Sequence, residues 1–562
     1  MPPKILDPAS SHVNDSIASI EDTTNQPGID KQGHDAGSTT IEPFDSVEDP
    51  AFVSEAENQY PTGAKFWFIA LSVALLLLVG GMDASIIATA VPSITDHFHT
   101  VADIGWYSVA YRLPLCALQF LFGKMYKIFS VKTMLMVSTC IFMLGTVLCA
   151  SATSSKMVVL GRAVTGLATS SQIAGAFTLL QIGLPLRLRP VYAGAGGAVE
   201  TVAVIAAPVL GGVLTQKLSW RWCFWISLPL SFLTLLFLTF FFSDPRKSTS
   251  ATMTWREIIS ELDLFGTLCF VPSMTCLFLA LTWAGSKYAF DSAVVLCLYG
   301  AFAVLLAAFV WDQYRKGEKA TLPPRIFKQR SILAAFIFSL GCGSSLMVFE
   351  WYLPTYYQVI RGYTPGKSGY LMLPIVGGFL VGMVLHGSLT SITGYFSPWM
   401  LLGSTLLPLA AGLLTTWTLE SNLTKLVAYP ALIGFAAGIG FQGPQSAAQT
   451  VLSDADGPLG LAVILFAQHF GSALFGSIAQ TIFTNRLAAN LHDLVPGLNA
   501  SSIASMGFSE IRGAVAASRL QEVLLGLDRS LIQTWYLGVG LACMTMLGSI
   551  SMEWVSVKHK KN

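Results

Sequence analysis

Charged residues are scarce in this chain of 562 residues: 12% are Asp, Glu, Lys or Arg, whereas 53% are hydrophobic. A soluble globular protein carries about 25% charged residues. The mean hydropathy of +0.60 therefore indicates a protein that is solvated largely by lipid. The formal net charge is only +1. Because the sequence has no basic patch interleaved with aromatic residues, we expect no nucleic-acid partner.

Catalytic and metal-binding motifs are also missing. The sequence contains no HExxH, GxSxG or CxxC motif, and its nine cysteines lie in or beside apolar stretches. We therefore expect the cysteines to be apolar packing residues rather than a disulfide framework or zinc ligands. We predict that the protein is not an enzyme and that it holds no metal and no cofactor.

Two glycine-rich segments look like nucleotide-binding loops but have the wrong spacing. GYTPGKSG (362–369) has three residues between its first two glycines, where a phosphate loop requires four. GAGGAV (194–199) ends in Val199, where a dinucleotide fingerprint requires Gly or Ala. We therefore predict that the chain has no ATP site.

Long apolar runs are what the sequence has in abundance. From Lys65 onward, runs of about 20 residues recur, which is the length that crosses about 30 Å of hydrocarbon. We predict fourteen transmembrane helices, at residues 66–91, 103–123, 133–152, 157–181, 191–214, 222–243, 263–284, 292–311, 331–352, 369–390, 398–418, 428–449, 459–482 and 531–553.

The first 64 residues differ sharply from the rest, since they hold twelve acids and two bases. Their polar composition predicts a disordered acidic tail at residues 1–64. They lack the basic start and apolar core of a signal peptide, so the first apolar run is expected to be an uncleaved anchor. We expect a multi-pass protein of the plasma membrane, with a vacuolar or vesicle membrane as the alternative, and we expect a monomer.

Loop charge predicts the orientation of the chain. With the N-terminus inside, the inner loops and the basic tail at 556–562 carry 17 Lys and Arg residues, against seven in the short outer loops. Both termini are then cytosolic. A long outer loop covers residues 483–530, in which the amphipathic stretch 509–527 is expected to lie on the membrane surface or to pack over the loop. The sequons at Asn422 and Asn499 fall outside and are predicted glycosylation sites.

Four charged residues fall inside predicted helices of the first half: Asp83, Arg112, Arg162 and Glu200. A charge at the bilayer centre costs about 2.5–3.5 kcal/mol on insertion scales, so such groups usually face a cavity or a partner. At about 1.5 Å per residue, the first three lie at overlapping depths and Glu200 lies near mid-membrane. A carboxylate in such a site can exchange a proton, and a nearby arginine favours its release. We predict proton coupling; the alternatives are a static ion-pair lattice and, for Glu200, a misjudged helix register.

Polar residues of the predicted helices are candidates for binding a substrate. These are Tyr111, Gln442, Gln445, Gln468 and His469. The glutamines would otherwise bridge helices. His469 would either carry protons or be a hydrogen-bonded packing residue.

Glycine and proline motifs predict flexible, closely packed helices. APVLGG (207–212) supplies Pro208, Gly211 and Gly212 to the fifth helix, and GFAAGIGFQGP (434–444) lies in the twelfth. Two bundles that rock about a midplane site require such helices.

These motifs together resemble the major facilitator superfamily, in particular its fourteen-helix drug:proton antiporters and the fungal toxin and multidrug efflux pumps. MDASIIATAVPSI (82–94) resembles the first-helix motif lDxTIvxvAlP, and LGRAVTG (160–166) matches the fourth-helix motif around Arg162. APVLGG resembles the antiporter motif gxxxGPxxGG of the fifth helix, with Ala207 in place of a Gly. The likeness covers about residues 65–555. GKMYKIFSVK (123–132) departs from the loop motif GxxxDRxGRR, because Lys127 stands where the acid belongs.

The resemblance implies an all-α integral membrane protein with the major facilitator fold. Two pseudo-symmetric six-helix bundles, at 65–243 and 331–555, would be joined by a linker at 244–330 that holds an inserted helix pair (263–311). It also implies that Asp83 and Arg162 serve coupling and substrate recognition.

The expected function is proton-coupled export of small amphipathic organic compounds, such as a fungal toxin, a secondary metabolite or drugs. The expected partners are that substrate, protons and the lipid bilayer, and without ATP uphill transport must draw on an ion gradient. The alternative is a proton-coupled importer or facilitator of a siderophore or nutrient.

Overall fold

The computed structural model describes residues 63–98, 104–244, 253–284, 288–494 and 517–558. Within these ranges the secondary structure is helical, apart from two isolated β-bridges. The predicted acidic tail lies outside the described residues up to position 62, and Asn499 lies outside them as well.

The first half of the chain contains α1 (Gly63–Phe98), α2 (Ile104–Ala117), α3 (Gln119–Ile128), α4 (Val131–Ala150), α5 (Ser155–Gly183), α6 (Arg189–Lys217), α7 (Trp222–Trp225) and α8 (Ser227–Phe241). The linker contains α9 (Trp255–Glu261), α10 (Leu264–Trp283), α11 (Ala293–Lys316) and α12 (Pro324–Lys328). The second half contains α13 (Arg330–Thr355), α14 (Pro365–Thr393), α15 (Ser397–Leu414), α16 (Leu423–Phe441), α17 (Gly443–Val451), α18 (Gly457–Leu494) and α19 (Ala517–Ser551), and a π-helical turn, Tyr356–Ile360, follows α13.

Among the described residues, 13 segments are long and apolar enough to cross a membrane. The second predicted span, 103–123, is absent from that set because it is divided between α2 and α3, neither of which reaches the required 18 residues. Pro114 lies inside α2, where it cannot donate a helical hydrogen bond. The helix is interrupted four residues later, at Leu118.

The helices pack as two groups. In the first half, α1 packs on α6 and α8, while α5 packs on α2 and α4. In the second half, α13 packs on α18 and α19, and α16 packs on α14 and α15. The helices α10 and α11 pair with each other, and α10 lies against α2. The two halves meet mainly through α6 with α14 and α3 with α18.

The outer loop is shorter than predicted, because helix α18 continues to Leu494 and α19 begins at Ala517. Of the two alternatives for the amphipathic stretch, the structure favours packing against protein for residues 517–527. Leu487 and Leu491 of α18 belong to one apolar cluster with Val523 and Leu527 of α19. The amphipathic face of this stretch therefore packs against protein rather than against lipid headgroups.

Close helix packing occurs at the glycines of α16, as the sequence predicts. A Cβ atom at Gly434 would lie 1.7 Å from the carbonyl oxygen of Ile375 in α14, and one at Gly438 would lie 2.2 Å from that of Phe379. The prediction is wrong for Gly212 of α6, where a Cβ atom would meet no described atom within 4 Å. Pro208 lies inside α6 as expected.

We expect Gly434→Ala to destabilise the protein strongly and Gly212→Ala to be nearly neutral. The added methyl group at 434 collides with backbone, which no side-chain rotation relieves, and such overpacking costs about 1–3 kcal/mol or more. The melting temperature of the purified protein measures both effects. Equal melting temperatures for the two variants would contradict the packing described for α14 and α16.

Candidate functional site: a buried ion pair and a central cavity

Asp83 of α1 and Arg162 of α5 form an ion pair inside the first bundle. The Nη1 atom of Arg162 lies 2.7 Å from Oδ2 of Asp83, and each residue is only 1% exposed. Arg162 also donates from Nε to the carbonyl oxygen of Tyr107 at 3.2 Å. The ring of Tyr111 lies 4.2 Å from the guanidinium carbon, so this face of the cation is covered by an aromatic ring.

The sequence around Arg162 explains how α5 brings this charge to its partner. Ser154 caps α5 by accepting a hydrogen bond from the amide of Met157. Gly161 and Gly166 flank Arg162, and Cβ atoms there would lie 2.9 Å from the Cys149 amide nitrogen and 2.1 Å from the Tyr111 carbonyl oxygen. The two glycines therefore let α4 and α2 approach α5 closely on either side of the arginine.

The other two predicted coupling residues lie apart from this pair. Among the described residues, neither Arg112 nor Glu200 forms a hydrogen bond or an ion pair. Glu200 lines a cavity between the bundles. Arg112 lies within electrostatic range of Glu350, another residue of that cavity.

The cavity has a volume of about 240 Å³ and is formed by helices of both bundles. Four of the predicted substrate-binding residues line it: Gln442, Gln445, Gln468 and His469. Tyr111 does not line it, because its ring lies against Arg162 instead. The apolar part of the wall includes Phe177, Leu346, Met347, Phe379 and Phe441. The cavity thus combines a largely apolar wall with a few polar groups, as small-molecule sites do.

Glu350 is a cavity residue that the sequence analysis missed. It comes near the end of the ninth predicted span, 331–352, and so looks like a boundary residue. In the structure this span continues through the π-helical turn to Ile360, so Glu350 lies well inside it. The apolar and aromatic residues that follow, WYLPTYY (351–357), were the available signal.

The bundles are joined at the end that carries Lys127, which we call the inner end. Asp456, just before α18, lies 2.7 Å from Nζ of Lys127 and 2.9 Å from Nη2 of Arg325. Lys124 donates to the carbonyl oxygens of Lys319 and Ala320. We call the three side chains Lys127, Asp456 and Arg325 the inner latch.

The inner latch has the opposite polarity from the loop motif, since the base is in the last turn of α3 and the acid precedes α18. An acid at a helix N-terminus interacts favourably with the helix dipole. Burial favours the neutral acid, but hydrogen bonds from Lys127 and Arg325 outweigh it and lower the pKa of Asp456. The carboxylate is thus held in its charged form.

The glycine-rich segment GAGGAV packs the bundles together rather than binding a nucleotide. A Cβ atom at Gly194 would lie 2.9 Å from the carbonyl oxygen of Met383 in α14. Across the same contact, a Cβ atom at Gly387 would lie 2.6 Å from the carbonyl oxygen of Pro190. The small residues therefore allow α6 and α14 to meet backbone to backbone.

Comparison with known proteins agrees with this architecture. Residues 73–476 match the sequence model of the Major Facilitator Superfamily. The chain is 37% identical over 500 residues to the MFS-type efflux pump MFS1 of Trichophyton rubrum, which covers 89% of this chain and 93% of that protein. It is 36% identical over 505 residues to the efflux pump aflT of Aspergillus parasiticus, covering 90% and 98%. It is 38% identical over 504 residues to the efflux pump roqT of Penicillium rubens, covering 89% and 93%.

A solved structure shares the fold. The proton:xylose symporter XylE matches with a TM-score of 0.55 at 14% identity, over 85% of this chain and 94% of that one. The predicted all-α major facilitator fold is confirmed, although the span count of fourteen is not met by length and composition alone. The chain belongs to the major facilitator superfamily and is therefore a multi-pass membrane transporter of small molecules.

Proposed function

We propose that the protein is a proton-coupled antiporter that exports small amphipathic organic compounds, such as a fungal toxin or another secondary metabolite, and drugs of similar chemistry. The observation that carries the proposal is the Asp83–Arg162 pair, which is sealed from water in a bundle of apolar helices. Removing one partner of a buried pair costs about 3–5 kcal/mol. A proton that neutralises Asp83 therefore has a strong effect on where Arg162 can sit.

The coupling follows from that energetic link. When a proton from the outer side neutralises Asp83, Arg162 loses its counter-charge and keeps its contacts with Tyr107 and Tyr111 on α2. This change shifts α1 relative to α2 and α5, and the shift biases the equilibrium between the two orientations of the bundles. When the proton leaves toward the cytosol, the pair reforms.

Relatives of this chain support export as the direction of transport. Three proteins that are 36–38% identical to this chain over most of its length are named efflux pumps. The APVLGG segment of α6, which resembles the antiporter motif, favours the same direction. We further propose that both termini face the cytosol, that the protein resides as a monomer in the plasma membrane and that the inner latch closes its cytosolic side.

Cellular retention tests this function. The protein would be expressed in a yeast strain that lacks its own pumps, and retention of a panel of amphipathic compounds would be followed with and without a protonophore. Lower retention that the protonophore abolishes is the expected result. Higher retention in expressing cells would mean import and would overturn the proposal, as would efflux that is indifferent to the protonophore.

Asn422 provides a test of the orientation. It is exposed, and its side chain accepts a hydrogen bond from the amide of Lys425 at the start of α16. We expect the full-length protein to carry a glycan there, so that endoglycosidase treatment increases its gel mobility and Asn422→Gln reduces that change. The N-terminal tail, which is proposed to be cytosolic, also contains a sequon, Asn14-Asp-Ser. If a glycan is instead found there, the proposed orientation is wrong.

A further inference from the structure

The central cavity contains hydrogen-bond acceptors that the protein itself leaves unsatisfied. Glu200 comes from α6 in the first half and Glu350 from α13 in the second, and both line the cavity. Neither carboxylate forms a hydrogen bond or an ion pair with any residue that the structure describes. Two carboxylates from opposite bundles, Glu200 half-buried and Glu350 exposed, therefore face one space without a hydrogen-bonded protein partner.

Two buried glutamines also present acceptor oxygens without a hydrogen-bond partner. Gln442 and Gln445 line the cavity and are each 1% exposed. Their Oε1 atoms have no hydrogen-bond partner in the described part of the chain. The Nε2 atom of Gln442 donates to the carbonyl oxygen of Ala193 at 3.4 Å. The Oε1 atom of Gln442 is therefore the atom of this amide that lacks a partner. A buried acceptor without a donor is unfavourable, so a ligand that donates to it is favoured.

His469 adds a further acceptor. Its Nδ1 atom lies 2.8 Å from the carbonyl oxygen of Leu465. Because a carbonyl oxygen only accepts, Nδ1 carries the hydrogen, and Nε2 of the neutral ring is then an acceptor. The wall thus offers a set of acceptors that a ligand with donors can complete. The amide Nε2 atoms of Gln445 and Gln468 lie on the same wall and form no hydrogen bond with a described residue, but they carry no charge.

The charges point to a cation rather than a neutral donor. Arg112 is in electrostatic range of Glu350 and His469 but does not line the cavity. The lining contains two carboxylates, Glu200 and Glu350, and neither Lys nor Arg, so the wall is negative whenever these acids are ionised. Charge-assisted hydrogen bonds to a carboxylate are roughly twice as strong as neutral ones.

We propose that this cavity binds a protonated amphipathic amine. The ammonium group donates to Glu350 and Glu200 and to the amide oxygens of Gln442 and Gln445, while the apolar body packs on the phenylalanine side chains of the wall. A cation held by carboxylates of both bundles also stabilises one particular arrangement of the bundles. This assignment rests on the proposed transport function and names the chemical class of its substrate.

The test is equilibrium binding to the purified full-length protein in detergent, by isothermal titration calorimetry at neutral pH. Three indoles of similar shape serve as probes: tryptamine, which is a cation, N-acetyltryptamine, which is neutral, and indole-3-propionate, which is an anion. We expect tryptamine to bind at least roughly tenfold more tightly than the other two. Glu350→Gln and Glu200→Gln should each weaken tryptamine binding roughly tenfold or more, whereas Glu420→Gln, which removes a carboxylate outside the cavity, should not.

Melting temperatures of the variants establish that they are folded. Equal affinity for the three probes, tighter binding of the anion through Arg112, or no binding of tryptamine at its solubility limit would each overturn the assignment. Selective tryptamine binding in a protein that does not lower cellular retention would leave the assignment standing and remove the proposed export. Proton-driven export of neutral compounds that is unchanged in Glu350→Gln would leave the proposed export standing and overturn the assignment of an amine substrate.

Discussion

Asp83→Asn is expected to abolish proton-driven efflux while the protein still folds. Asparagine nearly matches the shape of aspartate and still offers an oxygen to Arg162, but it cannot take up or release a proton at physiological pH. The buried guanidinium then lacks its counter-charge, and we expect a loss of stability up to about 3–5 kcal/mol, the range for a broken buried pair. Substrate efflux from vesicles with an imposed pH gradient measures the coupling, and the melting temperature measures the stability.

A second variant separates coupling from structural support. In Asp83→Asn combined with Arg162→Met both charges are gone, and replacing a buried pair by neutral groups is often neutral or stabilising. We expect this double variant to regain much of the melting temperature lost in Asp83→Asn but none of the coupled transport. Glu420→Gln removes an exposed carboxylate and should leave both quantities unchanged.

The outcome of this pair of variants decides between two roles for the ion pair. If the double variant transports substrate in response to the pH gradient, the pair is only a structural lattice, and the coupling group must be sought elsewhere. Glu200 and Glu350 would then be the next carboxylates to test, because both line the cavity. If stability returns without transport, proton exchange at Asp83 is the function of the pair.

Depth along rigid helices made the ion pair predictable from the sequence. Asp83 and Arg162 lie on continuous helices, α1 and α5, so a fixed rise per residue places them at overlapping depths. Glu350 looked like a boundary residue because the ninth span was predicted to end at 352, whereas the helix continues through the apolar and aromatic residues that follow into a π-helical turn. The error was in where the span ends, not in its existence.

Contacts between distant segments were not predictable in this way. Lys127 and Asp456 are 329 residues apart in sequence. The replacement of the motif acid by Lys127 does not indicate which distant residue supplies an acid to pair with it. The packing glycines show the same limit. A glycine motif indicates that close approach is allowed, but whether Gly194 or Gly212 has a neighbour depends on which faces of α6 meet α14.

The inner latch should respond most strongly to loss of its acid. Asp456→Asn removes both ion pairs at once, whereas Lys127→Met and Arg325→Gln each remove one. We expect Asp456→Asn to shift the population toward an open inner end by roughly tenfold, which corresponds to about 1.4 kcal/mol. Labelling of a single engineered cysteine at Gln181, which is 3% exposed and hydrogen-bonded across the closed inner end to Asp454, measures the shift.

The control lies on the same segment of chain. Glu318 also pairs with Arg325 but is 66% exposed, and such surface pairs contribute about 0–1 kcal/mol. Glu318→Gln should therefore leave labelling nearly unchanged. If it raises labelling as much as Asp456→Asn does, the latch is not centred on Asp456.

The lowered pKa of Asp456 also fixes how the latch depends on pH. A carboxyl group whose pKa is lower in the closed state stabilises that state above its ordinary pKa, and the contribution is lost as pH falls through the lowered value. The hydrogen bonds from Lys127 and Arg325 that lower this pKa therefore keep the latch closed at neutral and mildly acidic pH. Labelling of the single cysteine at position 181, in protein with the latch intact, should not increase when the inner side is brought from neutral to mildly acidic pH. An increase over that interval would mean that a titratable group other than Asp456 controls opening of the inner end.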